Sequence, residues 1–312
     1  MNTKDKKIYV NIASYRDPML PSTINDVLSK AKYPERVTVG VAWQRGPEEL
    51  EELPFDSDQV KVLKIDYKHS KGCCWARSLC FLQADADTDF FWLLDSHMRV
   101  AQDWDEELLR MYNSVDNEKS LLSCAVPMYQ PPGNIGTHWE HNSNVVANTR
   151  ASSFIEGGIL MQVWHCKPVT TKPELNSFLT ACNLFGPFNF VREVPYDPNL
   201  FFYGEEISLC VRAFTHGWNH YTCEYSTAFH KHDRDYRVQY WDDHTKFNSK
   251  LTQINTDRCL EILLNRGQID MGIYGRGNIR TLEQYQTYSG VNFKDQSISD
   301  DAKTGKPTLL NL

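Results

Sequence analysis

Apolar and polar positions alternate between two periods along the first part of the chain. Lys7 to Tyr15 is a β-branched and apolar run that breaks at Arg16-Asp17-Pro18, so it predicts a buried strand ending in a loop. From Pro21 to about Lys32, Ile24, Val27, Leu28 and Ala31 recur at helical spacing, and Pro21 suits a first helical turn. Val37 to Trp43 reads as a second strand, and Val60 to Asp66 alternates like a third. Cys73 to Ala84 has helical character, and Phe90-Phe91-Trp92-Leu93-Leu94-Asp95 is an apolar strand. This order predicts an α/β fold with a mostly parallel sheet flanked by helices.

Beyond about residue 120 the pattern loosens into loop-rich and helical elaboration. Leu121 to Pro127 predicts a strand, Tyr129 to His141 a loop, and Glu156 to Val163 a return to strand. Glu205 to Gly217 predicts a helix closed by its glycine. Tyr221 to His232 fits a strand or an extended loop, and Thr256 to Asn265 an amphipathic helix. Residues 1–293 are expected to form one domain, and the polar stretch from Lys294 to Leu312 a flexible tail.

Composition narrows the class. With 41% hydrophobic and 23% charged residues among 312, the chain has the make-up of a globular protein large enough to bury a core. The net charge of -7 argues against broad electrostatic binding to nucleic acid or an anionic membrane. No apolar run reaches the roughly 18 to 20 residues of a membrane span, and none of signal-peptide length follows the basic N-terminal residues. Nine scattered cysteines without a CxxC pair fit reduced thiols better than disulfides or a zinc ribbon. The expected location is the cytoplasm.

The sharpest chemical signal is Asp95-Ser96-His97, directly after the apolar strand. In open α/β sheets ligands sit beyond the carboxyl ends of the strands, and alternate side chains of an extended segment share a face. One divalent ion, Mn²⁺ or Mg²⁺, is therefore within reach of both Asp95 and His97, although a helix-capping Asp and a surface His give the same short pattern. Phe202-Tyr203-Gly204-Glu205-Glu206 places two carboxylates at a predicted helix start, where the dipole alone favours acids. Phe229-His230-Lys231-His232 offers a further nitrogen ligand from either histidine.

Five segments taken together resemble the Skp1-type polypeptide N-acetylglucosaminyltransferases, a family of retaining enzymes with the GT-A fold. They are Asn11 to Asp17, Gly72 to Arg77, Asp95 to Arg99, Phe202 to Glu206 and Arg280 to Tyr285, in order along nearly the whole chain. More distantly, the set is similar to the polypeptide N-acetylgalactosaminyltransferases, whose C-terminal lectin domain is not expected here. The resemblance implies transfer of a sugar, N-acetylglucosamine, from a UDP-sugar donor to a hydroxyl acceptor. It implies that Ser14, Tyr15, Arg16 and Asp17 form the base and ribose site and that Arg77 helps hold the donor. It makes Asp95 and His97 metal ligands, with Ser96 between them at the donor, and His230 the third ligand with His232 as its competitor. Gly157 and Gly158 look like paired glycines approaching the donor sugar, and Glu205, or else Glu206, like the carboxylate nearest the transferred group.

Two other classes fit some of these residues. A metal-dependent hydrolase would use Asp95, His97, His230 and His232 with water as acceptor, and a binding module would hold a nucleotide or glycan without turnover. The acceptor, whether protein, glycan, small molecule or modified base, is not legible in the sequence.

Overall fold

A computed structural model describes residues 3–56, 58–129, 145–244 and 248–310. The predicted first half forms as a sequence of β1 (Ile8–Tyr15), α1 (Leu20–Ser29), β2 (Val37–Arg45), β3 (Val60–Asp66), α2 (Cys73–Phe81) and β4 (Phe90–Asp95). There follow β5 (Met98–Val100), α3 (Trp104–Ser114), β6 (Ser120–Ser123), β7 (Val145–Phe154), β8 (Leu160–Pro168), β9 (Glu174–Leu175), β10 (Asn183–Pro187) and α4 (Asn189–Glu193). The chain continues through α5 (Glu205–Thr215), β11 (Asn219–Thr222), β12 (Ala228–His230), α6 (Tyr240–Asp243), α7 (Asn248–Leu264), α8 (Leu282–Ser289), β13 (Val291–Asn292) and β14 (Ser297–Ile298).

The central sheet has the order β3-β2-β1-β4-β10-β6-β11-β9. β1, β2, β3 and β4 run parallel, as do β6 and β11, while β10 lies antiparallel between β4 and β6. The parallel strands are apolar on both faces because both are covered. Ile8, Val10 and Ile12 of β1 pack on one side with Ile24 and Val27 of α1 and with Trp104 of α3. Tyr9 packs on the other with Cys80 and Phe81 of α2, and that core continues to Phe214 of α5. β3, at the edge, alternates instead and exposes Lys64 and Asp66, charges that blunt the edge against pairing with another chain.

Two expectations change, and a third falls outside the described residues. The strand expected over 156–163 begins only at Leu160, because Glu156, Gly157 and Gly158 lie between β7 and β8. The loop expected over 129–141 lies outside the described residues except at Tyr129. The described part of the expected tail, 294–310, is packed rather than trailing. The segment is held at several points: β14 pairs with β13, Ala302 is buried, and Asn148 Nδ2 donates to the Thr304 carbonyl at 2.8 Å. All nine cysteines are free thiols. Among the described residues no helix is long and apolar enough to cross a membrane.

Candidate active site

The site lies at the carboxyl ends of β1, β2 and β4, where the chain leaves the sheet. Asp95 is the last residue of β4, and the turn after it leads into β5. β12 pairs antiparallel with β5, with His230 opposite Met98, and the Lys231 amide donates to the His97 carbonyl at 3.1 Å. This short ladder is what brings a residue from far along the chain against the Asp95-His97 turn. One ligand atom each from Asp95, His97 and His230 fall within 4.8 Å of one another. The His97 and His230 ring centroids stand 4.6 Å apart, and His230 Nε2 is 3.3 Å from Asp95 Oδ2.

The surroundings suit these groups to a cation. Burial, opposed by the hydrogen bond to Asp95, pushes His230 down to about 4, so its ring is neutral at pH 7 with a lone pair to give. Burial alone would raise Asp95, but the His230 hydrogen bond and the Arg77 charge hold it well below the usual carboxylate range. Behind His97, the buried Asp17 sits with Oδ2 at 2.7 Å from Nδ1, so Nδ1 carries the proton and Nε2 is left for an ion. Ser96 Oγ donates to the same oxygen at 2.7 Å. His232 is exposed, and although its ring lies 4.3 Å from that of His230, the three groups that converge are Asp95, His97 and His230.

Arg77, on α2, donates through Nη2 to Asp95 Oδ1 at 2.7 Å and through Nη1 to Glu205. Glu205, the expected catalytic carboxylate, is buried and takes a second hydrogen bond from the Tyr196 hydroxyl. It serves as the anchor of Arg77. Glu206 takes two hydrogen bonds on Oε1, from Thr180 Oγ1 at 3.0 Å and the Ala181 amide at 2.8 Å, leaving Oε2 for a group in the cavity. Burial pushes its carboxyl up to about 7. Gly204, with φ of +90°, lets α5 start close against α7, since a Cβ there would lie 2.4 Å from Cys259 Sγ.

These residues enclose a cavity of about 310 Å³. Tyr15, Gln44, Arg77, Asp95, His97 and Glu206 line it, joined by Arg234, Arg237 and Trp241 from the segment after His230. Of the loop expected to hold base and ribose, Tyr15 lines this cavity and Ser14, Arg16 and Asp17 do not. The Ser14 carbonyl accepts from Gln44, and Arg16 is committed to Glu48 and Asp243 at 2.7 and 2.9 Å. Asp17 is committed to His97. Gly157 and Gly158 also lie off the cavity wall, next to Thr256 and Leu260. A second hollow of about 470 Å³, on the far side of Asp17 and Arg237, reaches none of the three clustered ligands.

Sequence reasoning missed Gln44, Tyr196, Arg234, Arg237 and Trp241. Arg234 to Trp241 did carry a signal, since two arginines and three aromatics in eight residues directly follow the histidine pair. Tyr196 had none, because only the fold shows which carboxylate its hydroxyl meets. The Asp17 position makes a distinct prediction. Asp17→Asn is expected to weaken Mn²⁺ binding by 10- to 100-fold, roughly the cost of an outer-shell partner, with UDP affinity measured without metal unchanged. Calorimetric titration of Mn²⁺ and of UDP separates this from a base-binding role, which would give the opposite pattern.

A mostly parallel sheet flanked by helices, with an acid-and-histidine cluster at the end of its fourth strand, is the GT-A architecture of glycosyltransferases. A family model described as Glycosyltransferase (GlcNAc) matches residues 7–54 and 45–295, and the chain belongs to that family. No curated protein sequence matches the chain. Among solved structures, GalNAc-T7, crystallised with UDP, GalNAc and Mn²⁺, superposes with a TM-score of 0.62 at 17% identity. The match covers 95% of this chain and 52% of that one, so the chain spans about half the length of that relative. TarS 1-349 of S. aureus gives a TM-score of 0.49 at 9% identity, over 85% of this chain and 76% of that one.

Proposed function

We propose that the chain transfers N-acetylglucosamine, with retention of configuration, from UDP-N-acetylglucosamine to a hydroxyl acceptor, as the Skp1-type enzymes do. The observation that carries this reading is the convergence of Asp95, His97 and His230 beside Arg77 in one cavity of a glycosyltransferase-family chain. The family description supports the sugar, and the UDP and Mn²⁺ bound by GalNAc-T7 support the nucleotide and the ion. Nine free thiols suit a reducing compartment, the cytoplasm.

A divalent cation held by the cluster, Mn²⁺ or Mg²⁺, supplies neutralisation of the charge that builds on the departing diphosphate. The chain's own groups do the rest. Asp17 fixes the His97 tautomer, and Arg77 fixes the rotation of Asp95. Arg234 and Arg237 add positive charge to the cavity wall, where the diphosphate lies in this reading. Glu206, with Oε2 uncommitted, accepts a hydrogen bond from a hydroxyl of the transferred sugar or of the acceptor.

The test is a donor screen with Mn²⁺, reading UDP release with and without hydroxyl acceptors. UDP-N-acetylglucosamine is expected to be turned over at least about tenfold faster than UDP-glucose, a discrimination that about 1.4 kcal/mol of acetamido contacts supplies. EDTA is expected to stop it. Release of sugar to water alone, unchanged by any acceptor, would favour a hydrolase. Failure to bind or turn over any UDP-sugar would sink the reading.

A further inference from the structure

We propose that Tyr196 is a positioning residue of the metal site, acting through Glu205 and Arg77 on the orientation of Asp95. The proposal rests on the reading of Asp95, His97 and His230 as a cation site. Asp95 has two carboxylate oxygens with different tasks. Oδ1 accepts from Arg77 Nη2 at 2.7 Å, and this leaves Oδ2 turned toward His230 Nε2, where the ligand atoms converge. Free rotation of the carboxylate would scramble that division, so the ligand is only as well placed as the guanidinium that holds it.

Arg77 is a long side chain with many rotamers, and ordering it costs entropy unless its surroundings already fix it. It is buried, and its other terminal nitrogen is anchored on Glu205. Glu205 in turn takes both the Arg77 and the Tyr196 hydrogen bonds on the same oxygen, Oε1. The Tyr196 hydroxyl is thus the second donor that fixes the rotation of Glu205.

Tyr196 is itself held rigidly. Its ring packs on Phe81, with centroids 6.0 Å apart, and Phe81 is one turn beyond Arg77 on α2. The next residue, Asp197, is gripped by Arg258 of α7 at 2.8 Å. A line of fixed groups therefore runs from the α7 anchor through Tyr196, Glu205 and Arg77 to the metal-facing carboxylate. Arg77, Glu205 and Asp95 line the cavity, whereas Tyr196 does not. Its effect is on the preorganisation of the ligand.

The experiment titrates Mn²⁺ into the full chain and reads bound ion by electron paramagnetic resonance, with thermal midpoints recorded alongside. Tyr196→Phe removes only the hydroxyl and is expected to raise the Mn²⁺ Kd by roughly tenfold. Glu205→Gln, matched in volume, tests the next link and is expected to raise it further, toward roughly a hundredfold. The double variant is expected to bind no more weakly than Glu205→Gln alone, because the hydroxyl acts through that carboxylate. Wild-type Mn²⁺ affinity in Tyr196→Phe, with or without a lowered midpoint, overturns the proposal. So does a double-variant loss equal to the product of the two single losses. A wild-type chain that takes up no Mn²⁺ removes the cation-site reading as well, an outcome distinct from wild type and variant binding the ion equally.

Discussion

Asp95→Ala is expected to lower sugar transfer by at least about a thousandfold. In the proposed reading it deletes a direct ligand, and losing even an outer-shell partner costs roughly 10- to 100-fold. It also strips Arg77 of one of its two carboxylate partners, and an unsatisfied hydrogen-bonding group at such a site costs about 1–3 kcal/mol of stability. Asp95→Asn separates the two effects. Its amide oxygen can still accept from Arg77, so the fold is expected to melt near the wild-type temperature, while the lost charge weakens the ion. The histidines divide in the same assay. His230→Ala is expected to cost more than 100-fold in Mn²⁺-dependent turnover, whereas the exposed His232 lies outside the cluster and its alanine variant is expected to stay within a few-fold. Undiminished activity of the wild-type chain in EDTA would refute the whole assignment. A larger loss from His232→Ala than from His230→Ala would reassign the third ligand and leave the rest standing.

The parts that were legible in the sequence are those written in local pattern. β1, β2 and β4 are short apolar runs bounded by breaks, as burial on both faces requires, and β3 alternates as a half-exposed edge strand does. The Asp95-Ser96-His97 turn was findable for the same reason, since its place after an apolar strand is itself a structural statement. Elements whose identity depends on partners were not. β7, with Thr149-Arg150-Ala151-Ser152-Ser153 in its middle, carries little apolar signal and forms because β8 pairs with it. α3 opens on three acids that mask its buried face of Trp104, Leu108 and Met111. The tail expected from polar composition is packed because Asn148 and β13 supply its hydrogen bonds.

The site shows the same division at finer scale. Residue type pointed to carboxylates at Glu205 and Glu206, yet nothing local distinguishes two adjacent acids at a helix start. One turn geometry sends Glu205 inward to Arg77 and Tyr196, and the other turns Glu206 toward Thr180 and the cavity. Asp17 likewise reads as a loop residue of the expected base and ribose site, but the fold uses it as a buried acceptor under His97. Residues that support other residues are set by tertiary contacts, so they are the ones that a sequence conceals.

Glu206→Gln is expected to cost roughly 10²- to 10³-fold in kcat while making the ligand-free protein more stable above neutral pH. The first effect follows from position: Oε2 has no protein partner and faces the cavity, and removing one preorganised charged contact typically costs about 3–4 kcal/mol of transition-state stabilisation. UDP affinity is expected to change by only a few-fold, because Arg77 and the three clustered ligands are untouched. The second effect follows from burial, which raises the folded carboxyl from 4.5 to about 7. A carboxyl raised on folding favours the folded state fully below its unfolded pKa, and that advantage is lost as pH rises through the window from 4.5 to about 7. By pH 8 the folded protein carries a largely buried charge, at a cost of about 3 kcal/mol. Glutamine cannot ionise, so the variant is expected to melt several degrees above wild type at pH 8 and close to it at pH 4.5. Wild-type kcat/KM is expected to rise with pH through an apparent pKa near 7, as the carboxylate forms, and the glutamine variant to lack that limb. Thermal midpoints at the two pH values, with kcat and UDP affinity, decide the matter. A glutamine variant that turns over normally would reduce Glu206 to a support for Thr180 and Ala181, and one that melts early at pH 8 would mean that its charge is stabilised in the fold rather than held there at a cost.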